Sequence, residues 1–596
     1  MPSISYERFV AWSNYHLTRG DDPKADIPAM RIDEVARVHA GDVDTMGLER
    51  FGRFADKLLG HMRHLKDRAE GPEPPERPVA GTVGQAWSFS PLIGTSGGQL
   101  MCDGMSGISP VRADDLHPDC PVARRAVAFA LGGTRLREIA TWAEARGRGL
   151  ATSGTHLGPT IAGGFGTASH GSKLGYGGLQ NMVMGIHLVT GEDKHVWLEP
   201  KSRPVLSDTG LGRLQAGDTE VALVRDDARF EDALVHLGAM GIVVGVALEL
   251  PPRRRFAKMV VDQAVSPDWL EAIGRGEHTA LAKALGCGKA PVFHELTLDP
   301  LAPFGASAIH TMYFRRRTPG GIKPAPFVAP ADAIARYAQA LSDPAFLAAL
   351  GLALAPEKLA SAGDPDDPVR QAIFEVLHAH SAYEAYKYLS GATAAGPFDP
   401  EGDVLAGTWS EIHNSDVITG GIPGALYNAS FAVPRADTAK AVAAISAAVI
   451  AAKLPAVFVF TLRFVTGAAG SLAFTRFAET TVIEIDGISD LACKLAVARL
   501  SNQPAPPPDV VLGAILGLGS TLSQGAKAVR AALDGKVDYA MHWAKLGELD
   551  RAKVLADYAG PLPRWRETRE FLLTDFGRKV FWNEAAVAYG LVDGPA

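Results

Sequence analysis

The sequence predicts a mixed protein, α/β or α+β, and three observations carry that reading. Strand-like and helix-like runs alternate through the first part of the chain, β-hairpin alternation returns after Tyr427, and the 596 residues exceed a single small module several-fold. At roughly 150 residues per domain the length corresponds to about four domains, or to two larger ones as in many enzymes. With 47% hydrophobic and 21% charged residues the chain can bury a sizeable core. Its 59 basic and 66 acidic residues leave a net charge of −7 and no broad cationic surface, which argues against nucleic acid as a partner.

The opening MPSISYERFVAWSNYHLTRGDD lacks the basic start and apolar run of a secretory signal, so a cytoplasmic protein is expected. In 46–70 the residues Leu48, Phe51, Phe54, Leu58, Met62 and Leu65 recur at three and four, the stripe of an amphipathic helix. GPEPPERP breaks it, and PVAG begins a short strand leading into GTVGQAW, where Gly81 and Gly84 permit a tight turn. An apolar run at 125–131 and a helical stretch at 134–146 repeat the pattern. Residues 154–178 then hold nine glycines, where two to three would follow from 63 in 596. With Thr155, Ser169, Ser172, His156 and His170 among them, the segment offers backbone N–H groups and small hydroxyls, chemistry that suits a phosphate-bearing ligand against the main chain. No GxGxxG or GxxxxGK[ST] pattern sits there, so composition leaves both a flexible loop and a ligand loop open.

A strand-like run at 182–190 and the helix-turn-strand pattern of FEDALVHLGAMGIVVGVALELPP follow, closed by Pro251 and Pro252, where a domain boundary is expected. Residues 252–430 read as Ala- and Pro-rich with helical segments at 332–350 and 367–389. YNASFAVP, an Ala-rich helix at 436–453, FVFTLRFV and LAFTRFAETTVIEID complete the pattern. In FVFTLRFV a period of two puts Thr461 and Arg463 on one face and Phe460, Leu462 and Phe464 on the other, and an arginine on a sheet face needs a partner. The proline run at 504–508 reads as a stiff linker. Cys102, Cys120, Cys287 and Cys493 are scattered without metal or disulfide spacing, so no metal site is expected. The uncharged stretches 441–452 and 510–526 are shorter than the roughly 20 residues of a membrane span.

Four segments together resemble the FAD-binding oxidoreductases of the vanillyl-alcohol oxidase type, with a PCMH-type FAD domain, in the aldonolactone and alditol oxidase branch. RPVAGTVGQAWSFSPL (77–92) resembles the strand-turn that cradles the FAD pyrophosphate, which implies cofactor contacts from Gly81, Thr82, Val83, Gly84, Gln85, Ala86, Trp87 and Ser88. SGTHLGPTIAGGFGTASHGSKLGYGGLQNMV (153–183) resembles the long loop along the flavin, implying Ser153, Gly154, Thr155, Thr160, Gly163, Gly164, Thr167, His170, Gly171 and Ser172. LGAMGIVVGVALEL (237–250) is similar to a third contact segment, implying Gly241, Ile242 and Val243, and DYAMHWAKL (538–546) resembles the closing H-W-x-K motif. The resemblance implies an α+β fold: a PCMH-type FAD-binding domain of two α/β subdomains over 1–250, a sheet-based substrate or cap domain over 251–537, and a tail, 538–596, returning to the first. Ser90–Leu92 also gives some likeness to the long sterol-oxidising members.

Two departures qualify what the resemblance implies. Trp87 stands where covalently flavinylated relatives have histidine, so noncovalent FAD is expected. Relatives often carry E-x-R on a strand; here the triplet is Thr461, Leu462, Arg463, and Glu479 is the candidate replacement for the carboxylate. The implied activity is oxidation of a CH–OH group of a small-molecule alcohol, polyol or sugar lactone, with O2 or another electron acceptor. A bulky alcohol such as a sterol is the alternative substrate, and a flavin-binding protein without turnover is the alternative of another class. Catalytic expectations are Arg463 and Lys545 as cations, the latter also at the cofactor, and His542 as proton acceptor.

Overall fold

The structure, a computed structural model, describes residues 2–15, 30–41, 47–72, 74–75, 79–305, 307–318, 383, 387, 390–413, 426–451, 458–488 and 526–594. The first helix, Leu48–Glu70, buries all six residues of the expected stripe, each worth about 1.5–3 kcal/mol when fully removed from water. It packs on strands β7 (Val183–Val189) and β10 (Ile242–Glu249). A Cβ at Gly245 would collide with the Phe51 ring, so the glycine in β10 seats the helix.

Three sheets organise the described residues. The first, in the order β1-β2-β4-β3, joins β1 (Ser3–Trp12) antiparallel to β2 (Met30–His39) and β2 parallel to β4 (Gln99–Met101), with β3 (Gly81–Val83) outside. The second has the order β5-β6-β10-β7-β8-β9, with β5 (Ile108–Pro110), β6 (Val127–Leu131), β8 (His195–Glu199) and β9 (Val221–Arg225) around the pair under the helix. Between Glu249, the end of β10, and Arg255, the start of β11 (Arg255–Asp262), lie Pro251 and Pro252, and there the chain leaves this sheet for the third.

The third sheet runs β11-β13-β12-β17-β18-β16-β19 along its main path. Its strands are β12 (Phe293–Leu298), β13 (Ala308–Arg316), β16 (Leu426–Pro434), β17 (Phe458–Thr466), β18 (Glu479–Ile488) and β19 (Ala540–Met541), with the short β14 (Thr393–Ala394) and β15 (Ala406–Gly407) beside β11. One face is largely apolar. Phe460, Leu462, Phe464, Ile483, Ile485, Phe431 and Val433 pack there under the helix Thr438–Ala451, and the alternation expected of FVFTLRFV is the one observed. Within 252–430, read from the sequence as Ala- and Pro-rich with helical segments, residues 252–318 carry the strands β11, β12 and β13. Their alternating inward residues were obscured by the short helices Pro267–Gly274 and His278–Ala284 between them. The helical segments expected at 332–350 and 367–389, the linker at 504–508 and Cys493 fall outside the described residues, apart from Tyr383 and Lys387. Among the described residues no helix is long and apolar enough to cross a membrane, and no group of three metal-ligating side chains occurs.

Candidate active site

The opposite face of the third sheet is polar, and its centre is a carboxylate. Glu484 on β18 lies directly across from Thr461 on β17 and Ser430 on β16. Arg463, two residues along β17, therefore shares that face, and its Nε stands 2.9 Å from Glu484 and 3.1 Å from Glu295 on β12, its cross-strand neighbour. Ser430 Oγ donates to Glu484 at 3.2 Å, and Lys545 Nζ donates to the same carboxylate. Lys545 is delivered by the 540–546 segment along the edge of β16, held by His542 N–H to Ser430 O (3.2 Å) and Leu546 N–H to Asn428 O (3.0 Å).

Position and burial set the charges. Burial pushes the Glu484 carboxyl up, but Arg463, Lys545 and His170 together outweigh it and hold the group well below the usual carboxylate range. Glu295 goes the other way: burial raises it, Glu484 adds to the rise, and Arg463 and Lys258 only partly oppose it. Asp486, next on the same face, is pushed up to about 6 by burial and by Glu484. The three carboxyls of one sheet face thus have affinities driven apart, Glu484 down and Glu295 and Asp486 up.

Two histidines close the cluster. His170 Nδ1 donates to Gly171 O at 3.0 Å, which leaves Nε2 without a proton in the neutral ring, 3.6 Å from Glu484; burial lowers its pKa to about 3. His542 Nδ1 instead accepts the Ala544 N–H at 3.0 Å, so its neutral ring carries the proton on Nε2. Burial, then Lys545 and His170, lower its pKa well below the ordinary value. With one nitrogen engaged as acceptor and the other protonated, His542 is placed as a hydrogen-bond donor, contrary to the expected proton acceptor.

The four segments read as one site are in contact. Phe89 N–H donates to Ala544 O at 2.8 Å and Ser88 Oγ donates there at 3.2 Å, tying the first segment to the closing motif. Leu237 N–H donates to Gly166 O at 3.1 Å, tying the third segment to the second. Three of the five non-glycine residues with positive φ among the described residues, Ala86 (55°), Ala168 (60°) and Leu237 (52°), fall in these segments. Such strain persists where surroundings impose it, commonly at ligand sites.

Around Ala86 the half-exposed stretch Gly84–Ser88 turns past β3, which holds Gly81, Thr82 and Val83. Gln85 Nε2 reaches Asp103 at 3.4 Å, and Trp87 lies between Tyr15 (4.2 Å, 15°) and His156 (4.9 Å, 35°) on the bare backbone of Gly158. A Cβ at Gly84 would collide with Thr160, whose Oγ1 caps the helix Ile161–Gly166 by accepting from Gly163 N–H. Gly154 and Thr155 are half-buried in the turn before that helix, after buried Ser153. Buried Thr152 Oγ1 and both amide atoms of Gln180 have no hydrogen-bond partner among the described residues.

Other expected residues are used for the fold. Glu479 is the first residue of β18, half-exposed and ion-paired with Arg435 at 2.5 Å rather than with Arg463 or Lys545. The carboxylate that meets the arginine is Glu484. The Ser172 hydroxyl, expected at flavin or substrate, donates to His294 O and accepts from Phe464 N–H at 2.9 Å. Ile242 and Val243 are buried within β10 between β6 and β7, and Gly241 (φ 113°) stands close against Val189 O. A Cβ at Gly171 would meet Ser153 O at 2.6 Å, so packing against the backbone already requires that glycine, whereas one at Gly164 would meet only the terminal Cδ1 of Leu179, at 2.9 Å. Thr167 donates to Gly163 O at 2.8 Å. The reading missed Glu484, Asp486 and Glu295, although VIEID alternates as FVFTLRFV does and places Glu484 and Asp486 on one face.

No protein-family model matches the chain. Among solved structures it is similar to cholesterol oxidase from B. sterolicum, at 14% identity over 98% of this chain and 97% of that one, with a TM-score of 0.58. It is also similar to 6-hydroxy-D-nicotine oxidase from Arthrobacter nicotinovorans (12% identity, 98% of each chain, TM-score 0.50) and to a VAO-type flavoprotein from Myceliophthora thermophila C1 (12% identity, 92% of this chain and 78% of that one, TM-score 0.50). At these identities the likeness is one of fold, and the fold is that of the VAO-type flavoproteins: α+β, with PCMH-type α/β subdomains beside a sheet-based third part.

Proposed function

We propose that this chain is an FAD-dependent oxidoreductase that oxidises a CH–OH group of a small-molecule donor, passing electrons to O2 or another acceptor. In this reading 1–250 and 538–596 form the FAD-binding part and 251–537 the substrate side. The observation that carries it is the pair of cations, Arg463 and Lys545, anchored on ionised Glu484 where the glycine-rich segment delivers His170. The segments expected to hold FAD fit such a group: the positive-φ turn at Ala86 within the half-exposed stretch 84–88 suits phosphate, and the unpartnered polar atoms of Thr152 and Gln180 sit in or beside the second segment. Trp87 at the attachment position supports noncovalent binding.

Bound FAD supplies a hydride acceptor whose reduced ring carries negative charge. Arg463 and Lys545 hold positive charge in a fixed place, so no reorganisation is needed as charge develops. Glu295, its proton affinity raised by burial and by Glu484, is suited to take the donor's hydroxyl proton while Arg463 orients the oxygen. His542 Nε2–H adds a neutral donor. Glu484 provides beside Arg463 the carboxylate that is absent from position 461. The hydroxyls of Thr461, Thr297 and Ser430 on the same face suit a hydroxyl-rich donor such as a polyol or lactone better than a sterol. The test is anaerobic mixing of the FAD-loaded protein with polyols, aldonolactones and sterols. Bleaching of the flavin by a member of the panel is expected, and a flavin that stays oxidised throughout refutes the reading.

A further inference from the structure

Strands β12 and β17 are paired from Leu298 opposite Phe460 to Glu295 opposite Arg463, and there the ladder stops. The next pair in register, His294 and Phe464, does not join directly. The Ser172 hydroxyl stands between them, donating to His294 O and accepting from Phe464 N–H at 2.9 Å, fully buried. Beyond it the chain of the glycine-rich segment fills the gap between the parted strands. His294 N–H donates to Ser172 O (3.4 Å) and Leu174 N–H to Val292 O (3.0 Å), with Lys173 bridged to Phe293, while on the other side Thr466 N–H donates to Tyr176 O (3.1 Å). The path into this gap is fixed one residue earlier, because Gly171 passes so close to Ser153 O and Thr152 Oγ1 that a Cβ would stand 2.6 Å from each.

The last residues paired before the strands part are Glu295 and Arg463, the two that meet in the site at 3.1 Å. The separation of β12 from β17 at this point therefore sets their spacing. We propose that Ser172 is a positioning residue: its hydroxyl, spliced into the ladder, fixes the separation at which Arg463 reaches both Glu295 and Glu484. His170–Gly171–Ser172 then divides its work, the histidine facing Glu484, the glycine allowing the close passage and the serine setting the strand gap. A shift on the order of 1 Å in such a group costs up to about a hundredfold in rate. This inference rests on the functional reading above.

Sulfite, an anion that bleaches flavin when positive charge stands beside the ring, tests it without knowledge of the substrate. The full-length FAD-loaded protein, Ser172→Ala and Arg463→Met are titrated with sulfite, and FAD affinity is measured on each. Both variants are expected to hold FAD within about threefold of the parent and to bind sulfite on the order of tenfold more weakly. Ser172→Thr, which keeps the hydroxyl, and Ser172→Val, its isostere without one, repeat the comparison should the alanine variant not accumulate; threonine is expected to bind sulfite as the parent does and valine as alanine does. Parent-like sulfite affinity in the variants lacking the hydroxyl, with Arg463→Met weakened, overturns the positioning role alone. Sulfite affinity indifferent to Arg463 overturns the functional reading and this inference with it.

Discussion

Acidification from pH 7 to 5 is expected to unfold this protein through its histidines. Ten described histidines have pKa values lowered by burial: His61, His170 and His413 to about 3, His236, His278 and His310 to about 4, His187, His294 and His542 well below the ordinary value, and His195 to a lesser extent. Each titrates near 6.5 once exposed, so between 6.5 and the folded value the unfolded chain binds more protons. Stability then rises with pH and is lost as pH falls through that window. From pH 7 to 5 each of the six with a stated value contributes about 2 kcal/mol of that loss, together roughly 11 kcal/mol. Asp486, raised to about 6, binds its proton in the folded state and offsets about 1 kcal/mol over the same range. The remainder is comparable with the whole stability of a typical protein, about 5–15 kcal/mol. Urea unfolding followed by tryptophan fluorescence at half-unit steps from pH 7 to 5 reads the slope directly. A loss below about 2 kcal/mol by pH 5.5, against about 7 expected from these six, would show that most of these rings are not held neutral, and the reasoning would fail.

Other perturbations act nearer the site. Glu484→Gln leaves Arg463 and Lys545 facing each other without their shared anion, so a loss of about 3–5 kcal/mol in unfolding free energy is expected; a change under about 1 kcal/mol would mean the three groups are independently solvated. Arg463→Met and Lys545→Met, each with full FAD, should slow flavin reduction on the order of 10²–10³, and stopped-flow rates within about threefold of the parent, under about 0.7 kcal/mol, would remove the residue from the mechanism. Gly171→Ala puts a methyl group 2.6 Å from Ser153 O, whereas Gly154→Ala meets nothing closer than His170 O at 3.7 Å; thermal melting should show a loss of about 1–3 kcal/mol for the first only, and equal melting would refute the packing argument. Acid precipitation should release all FAD to the supernatant, and flavin retained on the denatured chain would overturn noncovalent binding.

The sequence by itself determined what periodicity and backbone chemistry control. The stripe of Leu48–Glu70, the two faces of FVFTLRFV and the change of sheet at Pro251–Pro252 are local patterns, because burying one face of a helix or strand constrains each third, fourth or second residue. Arg463 and Lys545 were legible as residue types in recognisable segments. Their shared partner was not: Glu484 is 21 residues from Arg463, and only the register of β17 on β18 decides that Glu484, rather than Glu479, reaches it. A slip of one residue would turn Glu484 to the apolar face. Tertiary structure likewise decided which nitrogen of His542 is open, through the Ala544 amide, and removed the Ser172 hydroxyl from the ligand by placing it between two strands whose sequences are more than 100 residues away. Proton affinity and hydrogen-bond availability depend on burial and on neighbours brought from distant segments, and these exist only once the sheets are assembled.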